Sequence, residues 1–145
     1  MKVLGLIPSR MGSRRLPAKA LLPISGLPLV VHTYRRANLS KLIDKILICT
    51  DSKKIVSIAK KYKSKAILTS PYHLNGTERI AEAFVKEKKK YDFILDIQGD
   101  EPLISPYHID EVINYHKKNN DADIILPTLK LKFPDNPSIV KVVTN

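Results

Sequence analysis

The chain has 145 residues, 43% of them apolar, which suits one domain with a buried core of its own. Its formal net charge of +11 raises a nucleic-acid partner, yet many of the cations are lysines on predicted helix faces, without the arginine and aromatic interleaving of a nucleic-acid surface. The single cysteine, Cys49, excludes a disulfide framework or cysteine metal cluster, and with no membrane-length apolar run or signal-peptide pattern the expected protein is cytoplasmic and binds neither membrane nor nucleic acid.

Short apolar runs alternate with amphipathic stretches along the chain, the signature of an α/β protein with a mostly parallel sheet flanked by helices. A strand is predicted over residues 2–7. It feeds the loop Ile7-Pro8-Ser9-Arg10-Met11-Gly12-Ser13-Arg14-Arg15-Leu16-Pro17-Ala18-Lys19. Arg10, Arg14 and Arg15 can fork onto phosphate oxygens and Lys19 adds a point charge on a long stem, so the loop suits a polyanion such as a nucleoside triphosphate. Gly12 permits close approach of the backbone, and Ser9 and Ser13 can present N–H and hydroxyl groups. Neither a Walker A pattern nor Gly-x-Gly-x-x-Gly occurs, so a different phosphate loop is implied.

A helix is predicted over 28–37, with Pro28 suited to its first turn, then a strand over 45–50 that buries Cys49 as a small core residue. A helix over 53–62 and a strand over 66–68 follow. His73-Leu74-Asn75-Gly76-Thr77-Glu78-Arg79 opens the next helix, 77–89, with Thr77 as a plausible cap. Glu78 and Arg79 have two readings, pairing on the first turn or contacting ligand. His73 can orient its loop or touch ligand, and His32 is a surface or core residue of the first helix. The strand over 93–97 ends in Asp96-Ile97-Gln98-Gly99-Asp100-Glu101-Pro102. There Gly99 allows a sharp turn, and Asp100 can either hold a hard cation such as Mg²⁺ or cap the turn that follows. A helix over 106–118, a strand over 122–128, a loop over 130–137 and a strand over 138–143 complete the prediction.

These segments resemble, in order and spacing, the cytidylyltransferases that activate 3-deoxy-D-manno-octulosonate (KDO). That family reads approximately Ile-Pro-Ala-Arg-x-x-Ser-x-Arg-Leu-Pro-Gly-Lys, then His-x-Ser-Gly-Thr-Glu-Arg, then Gln-Gly-Asp-Glu-Pro. The match extends to Gly26-Leu27-Pro28-Leu29, Cys49-Thr50-Asp51 and the stretch from Asn136 to Val143. Ala18 replaces the family's usual Gly, and Asn75 its usual Ser. The first loop is also similar to spore-coat-type cytidylyltransferases, but the other two motifs are not.

The resemblance implies a Rossmann-like nucleotide-diphospho-sugar transferase fold. It also implies that residues 1–145 are a CTP-binding α/β domain, truncated relative to the family and lacking the part that binds the sugar and forms the homodimer. The implied reaction transfers CMP from CTP to KDO with release of pyrophosphate, for lipopolysaccharide precursor synthesis. The alternatives are a CTP-binding fragment without turnover, or a cytidylyltransferase for a related ulosonate such as 8-amino-KDO. Arg10, Arg15 and Lys19 match the triphosphate-binding positions, with Arg14 at most a helper. Pro8, Ser9, Asn75, Gly76, Thr77 and Gln98 match the base-selecting ones, and Asp100 matches a Mg²⁺ ligand. Asp96 falls outside the implied metal site.

Overall fold

The alternating apolar residues of Val3–Ser9, strand β1, are buried on both sides: Leu4 and Leu6 face one way, Val3 and Ile7 the other. A strand buried on both faces belongs in the middle of a helix-covered parallel sheet. The structure, a computed structural model, describes residues 1–13 and 16–128. Two short strands, β2 (Pro23–Ile24) and β3 (Leu27–Pro28), pair as an antiparallel hairpin whose turn uses Gly26 at φ 78°. They lead into α1 (Leu29–Ala37). Then follow β4 (Lys45–Thr50), α2 (Lys53–Lys61), β5 (Ala66–Leu68), α3 (Gly76–Glu87), β6 (Phe93–Asp96) and α4 (Pro106–Lys118).

The main sheet is parallel throughout, in the order β5-β4-β1-β6. The chain winds outward from β1 through β4 to β5, then crosses back to place β6 on the other side of β1. Helices α1, α2 and α4 pack on one face through Val30, Val31, Ile55, Ala59, Ile109 and Ile113, and α3 covers the other through Ile80 and Ala83. The strand order reverses between β1 and β6, and at such a reversal a crevice opens at the carboxyl ends of the strands. Here it lies between the ends of β1 and β6.

The fold agrees with the sequence in class and in eight of the predicted elements, with shifts at their ends. Strand β1 runs two residues past the predicted 2–7, through Pro8 and Ser9. Helix α3 starts at Gly76 and stops at Glu87, because Lys88 turns left-handed at φ 57° and ends the helical path. Residues 122–128 form no strand: Ile124 and Leu126 are exposed and pair with no neighbour among the described residues. The predicted loop over 130–137 and strand over 138–143 lie outside the described residues, as do Arg14 and Arg15.

Candidate functional site

Three segments distant in sequence meet at the crevice. From the end of β1 come Pro8, Ser9 and Arg10, from the entry to α3 come His73, Leu74, Asn75, Gly76 and Arg79, and from beyond β6 comes Gln98; together they line a cavity of about 180 Å³. Of the residues predicted to hold nucleotide, Pro8, Ser9, Arg10, Asn75, Gly76 and Gln98 therefore stand together. Thr77, Lys19 and Asp100 do not line the cavity. A larger groove of about 540 Å³ runs between α4 and residues 125–127, and among the described residues Lys118 is the one cation in its lining. The crevice is the better candidate, since it combines the strand ends with a helix amino terminus.

Close packing fixes the crevice. A Cβ on Gly76 would stand 3.3 Å from the Pro8 ring, and one on Gly99 only 2.8 Å from the Pro8 carbonyl oxygen. Gly99 has no left-handed φ. Gly99 does lie in the turn expected from sequence, closed by the Glu101 N–H on the Gln98 carbonyl at 3.3 Å, and what demands glycine there is its close approach to β1. Its carbonyl also accepts a hydrogen bond from Thr33 Oγ1 at 3.2 Å. Thr33, fully buried in α1, thus ties the loop after β6 to the helix beneath it, a role that no motif in the sequence signals.

The cationic loop leaves β1 at exposed Arg10 and closes on a 3₁₀ turn, Lys19–Leu21. Ala18 precedes that turn at φ 53°, ψ 28°, a left-handed conformation that a Cβ disfavours by about 1 kcal/mol or more. The family's usual Gly would avoid that cost, so tolerance of Ala18 comes with local strain. Lys19 Nζ lies 2.5 Å from Asp100 Oδ2, with both side chains near half exposure. Two residues assigned separate roles, phosphate and metal binding, are thus partners in the protein alone. Such an exposed pair contributes at most about 1 kcal/mol and exchanges readily for better partners.

Asn75, not Thr77, caps α3: its Oδ1 accepts from the Glu78 N–H at 2.9 Å. Glu78 reaches back to the Leu74 N–H at 2.9 Å and to Asn75 Nδ2 at 3.1 Å, completing a reciprocal cap. Thr77 is exposed on the first turn. Arg79 does not pair with Glu78, as one reading of the sequence had it. Only 3% exposed, it donates to Asp51 Oδ2 at 3.0 Å and Thr69 Oγ1 at 2.6 Å.

His73 orients its loop, with Nε2 2.5 Å from Glu82 Oε2. Glu82 also accepts from the Ser70 N–H at 2.7 Å and pairs with Lys86 at 2.6 Å. The Lys86 ammonium, then the Ser70 N–H and His73, pull its pKa from 4.5 to about 2. A carboxyl with a depressed folded-state pKa adds stability above the unfolded value and loses it as pH falls toward the folded one. Glu82→Gln is therefore expected to be less stable than the wild type at pH 6, with the gap shrinking between pH 4.5 and 2. Urea unfolding of both proteins at pH 6 and pH 3 checks this, and a gap independent of pH would refute it.

His32, half-buried, meets the Ile24 carbonyl at 2.7 Å. Burial pushes the Cys49 thiol up to about 12, which makes it an inert core residue as expected. No group of three metal-ligating side chains occurs among the described residues. The one implied metal ligand is Asp100. A single reachable carboxylate at a strand end fits Mg²⁺, which takes one or two carboxylates and completes its shell with phosphate oxygens and water. No helix among the described residues is long and apolar enough to cross a membrane.

Comparison with known proteins identifies the family. The 3-deoxy-manno-octulosonate cytidylyltransferase of Geotalea daltonii is 37% identical over all of this chain and 58% of its own length. The 8-amino-3,8-dideoxy-manno-octulosonate cytidylyltransferase of a Shewanella species is 40% identical over 99% of this chain and 60% of its own. A CMP:2-keto-3-deoxy-manno-octonic acid synthetase solved in complex with CTP superposes with a TM-score of 0.78 at 33% identity, over 83% of this chain and 49% of that one. The chain thus spans little more than half the length of the curated relatives it matches. Residues 4–144 match the family described as Cytidylyltransferase, and the chain belongs to that family.

Proposed function

We propose that this chain is the CTP-binding part of a cytidylyltransferase that transfers CMP to an eight-carbon ulosonic acid, KDO or its 8-amino analogue. The observation that carries the reading is the convergence of three distant motifs on one crevice at the strand-order reversal, with cations on its loop side and a helix amino terminus opposite. The identities to KDO and 8-amino relatives, 37% and 40%, are too close to separate the two acceptors.

In the proposed reaction the acceptor's anomeric hydroxyl oxygen bonds to the α-phosphorus of CTP. The bond from that phosphorus to the bridging oxygen breaks, pyrophosphate leaves and the hydroxyl proton passes to solvent. Arg10 and Lys19, with Arg15, hold the triphosphate and offset the charge that builds on the leaving pyrophosphate. The N–H groups at the start of α3 and the backbone of Pro8 and Ser9 face the cytosine edge, with Gln98 beside them. Mg²⁺, bound through Asp100, would supply further charge neutralisation on the phosphates. The acceptor pocket, a homodimer contact and a cytoplasmic setting belong to the same proposal for the longer protein.

Calorimetric titration with CTP and with ATP, each with and without Mg²⁺, tests the reading, followed by a pyrophosphate-release assay with KDO. CTP is expected to bind at least about tenfold tighter than ATP, the discrimination that one well-placed base contact supplies. Equal affinities would refute it. Selective binding without pyrophosphate release would support the second reading, a CTP-binding fragment whose acceptor site lies elsewhere.

A further inference from the structure

The wall of the crevice formed by residues 68–75 has almost no regular structure of its own, yet several of its polar groups are held by side chains from a single helix. Arg79, Glu82 and Lys86 follow one another at intervals of three and four residues, so they share one face of α3. Lys86 Nζ donates to the Leu68 carbonyl at 3.0 Å. Arg79 Nη1 donates to Thr69 Oγ1 at 2.6 Å and to the Ser70 carbonyl at 3.2 Å. Glu82 takes the Ser70 N–H at 2.7 Å and His73 Nε2 at 2.5 Å. Both backbone groups of Ser70 are thus satisfied from α3. Arg79 is fixed in turn by Asp51 at the end of β4, at 3.0 Å.

The charge distribution says what such a wall is for. Arg79 lines the cavity, but its guanidinium is already engaged by Asp51, Thr69 and Ser70. It therefore offers little to a phosphate. The available cations, Arg10 and Lys19, belong to the opposite loop. What this wall presents is exposed Leu74 together with the start of α3, an apolar surface beside N–H donors. That combination suits a nucleobase rather than a triphosphate.

We propose that Arg79, held by Asp51 and acting with Glu82, is a positioning residue that fixes the 68–75 wall against the nucleobase and so sets base selectivity without touching the ligand. This inference rests on the CTP-binding reading above. Its mechanical part stands independently. A wall held at several points by one helix keeps its geometry without the entropic cost of ordering upon binding.

The test uses Arg79→Lys and Thr69→Val, with affinities for CTP, ATP and inorganic tripolyphosphate and with amide hydrogen exchange. Lysine keeps the charge but loses the fork, and valine removes one acceptor at nearly constant size. In both variants CTP affinity is expected to fall about tenfold, as for loss of a charge-assisted hydrogen bond. Tripolyphosphate affinity should stay within about twofold, because its site is on the other loop. The Ser70 amide is expected to exchange at least about tenfold faster while β1 and β4 remain protected.

Equal falls in CTP and tripolyphosphate affinity while β1 and β4 stay protected overturn the proposal. So does unchanged Ser70 exchange, or CTP binding that does not fall. Should Arg79→Lys fail to fold, Thr69→Val decides. If the wild type itself does not prefer CTP over ATP, the functional reading fails, and the exchange result still decides whether Arg79 holds the wall.

Discussion

Lys19→Ala is expected to weaken CTP binding by between about tenfold and a hundredfold while leaving CMP binding within about twofold. A hydrogen bond to a charged group contributes about 1.5–3 kcal/mol, and about 1.4 kcal/mol is tenfold in affinity. The cost of recruiting Lys19 is small, because the pair it leaves, with Asp100 at 2.5 Å, is half exposed on both sides. Removal of the lysine also leaves the Asp100 carboxylate uncompensated beside an incoming tetra-anion. The loss should therefore be larger without Mg²⁺ than with it, and Lys19→Ala combined with Asp100→Asn should recover part of the Mg²⁺-free affinity. Asp100→Asn alone carries the opposite signature: CTP binding without Mg²⁺ is retained, and its enhancement by Mg²⁺ disappears. Calorimetry with CTP and CMP, each with and without Mg²⁺, reads the three variants against the wild type. Equal losses for CTP and CMP in Lys19→Ala would remove Lys19 from the triphosphate site, and a surviving Mg²⁺ enhancement in Asp100→Asn would remove Asp100 from the metal site.

That coupling was only half legible in the sequence. Lys19 and Asp100 each stood in a recognisable motif, but pattern says nothing about two side chains 81 positions apart meeting across a crevice. The strands and helices were legible because two-sided burial and helical periodicity leave local marks, as Val3–Ser9 and Lys45–Thr50 illustrate. Residues 122–128 carried the same apolar mark and formed no strand, since a strand also needs a neighbour, which composition does not supply. Asn75 outcompeted Thr77 as the cap because its Oδ1 reaches the Glu78 N–H while Glu78 reaches back, a reciprocity visible in the spacing but assigned two residues late. Of the two readings of Arg79, the one that paired it with Glu78 fails. Its binding to Asp51 and Thr69 depends on how β4, β5 and α3 are stacked, which only the fold determines. Thr33 had no signal at all, being one more helix residue until Gly99 is seen above it.

Gly99→Ala should be the most damaging small substitution in the crevice, although alanine is well tolerated by the backbone conformation there. An added Cβ would stand 2.8 Å from the Pro8 carbonyl oxygen and 3.4 Å from Ile7 Cγ2. The obstructing atom is backbone in the central strand, so no rotamer change relieves it. Nor can Gly99 retreat freely, since Thr33 Oγ1 holds its carbonyl at 3.2 Å from the helix below. The segment from Ile97 to Glu101 must therefore move away from β1, at a cost of about 1–3 kcal/mol, as for other overpacked sites. The same movement carries Gln98 and Asp100 off their positions, and displacements of about 1 Å at a reacting centre can cost about a hundredfold in rate. A fall in CTP affinity of about tenfold or more is expected together with the lost stability. Gly12→Ala is the control for stability, because among the described residues nothing lies within 4 Å of the Cβ it would add and its φ is not left-handed. It should change stability by less than about 0.5 kcal/mol, the usual range for surface substitutions. Urea unfolding and CTP titration of both variants decide the matter: if Gly99→Ala matches Gly12→Ala, the close approach of the two strand ends is not what holds the crevice in shape.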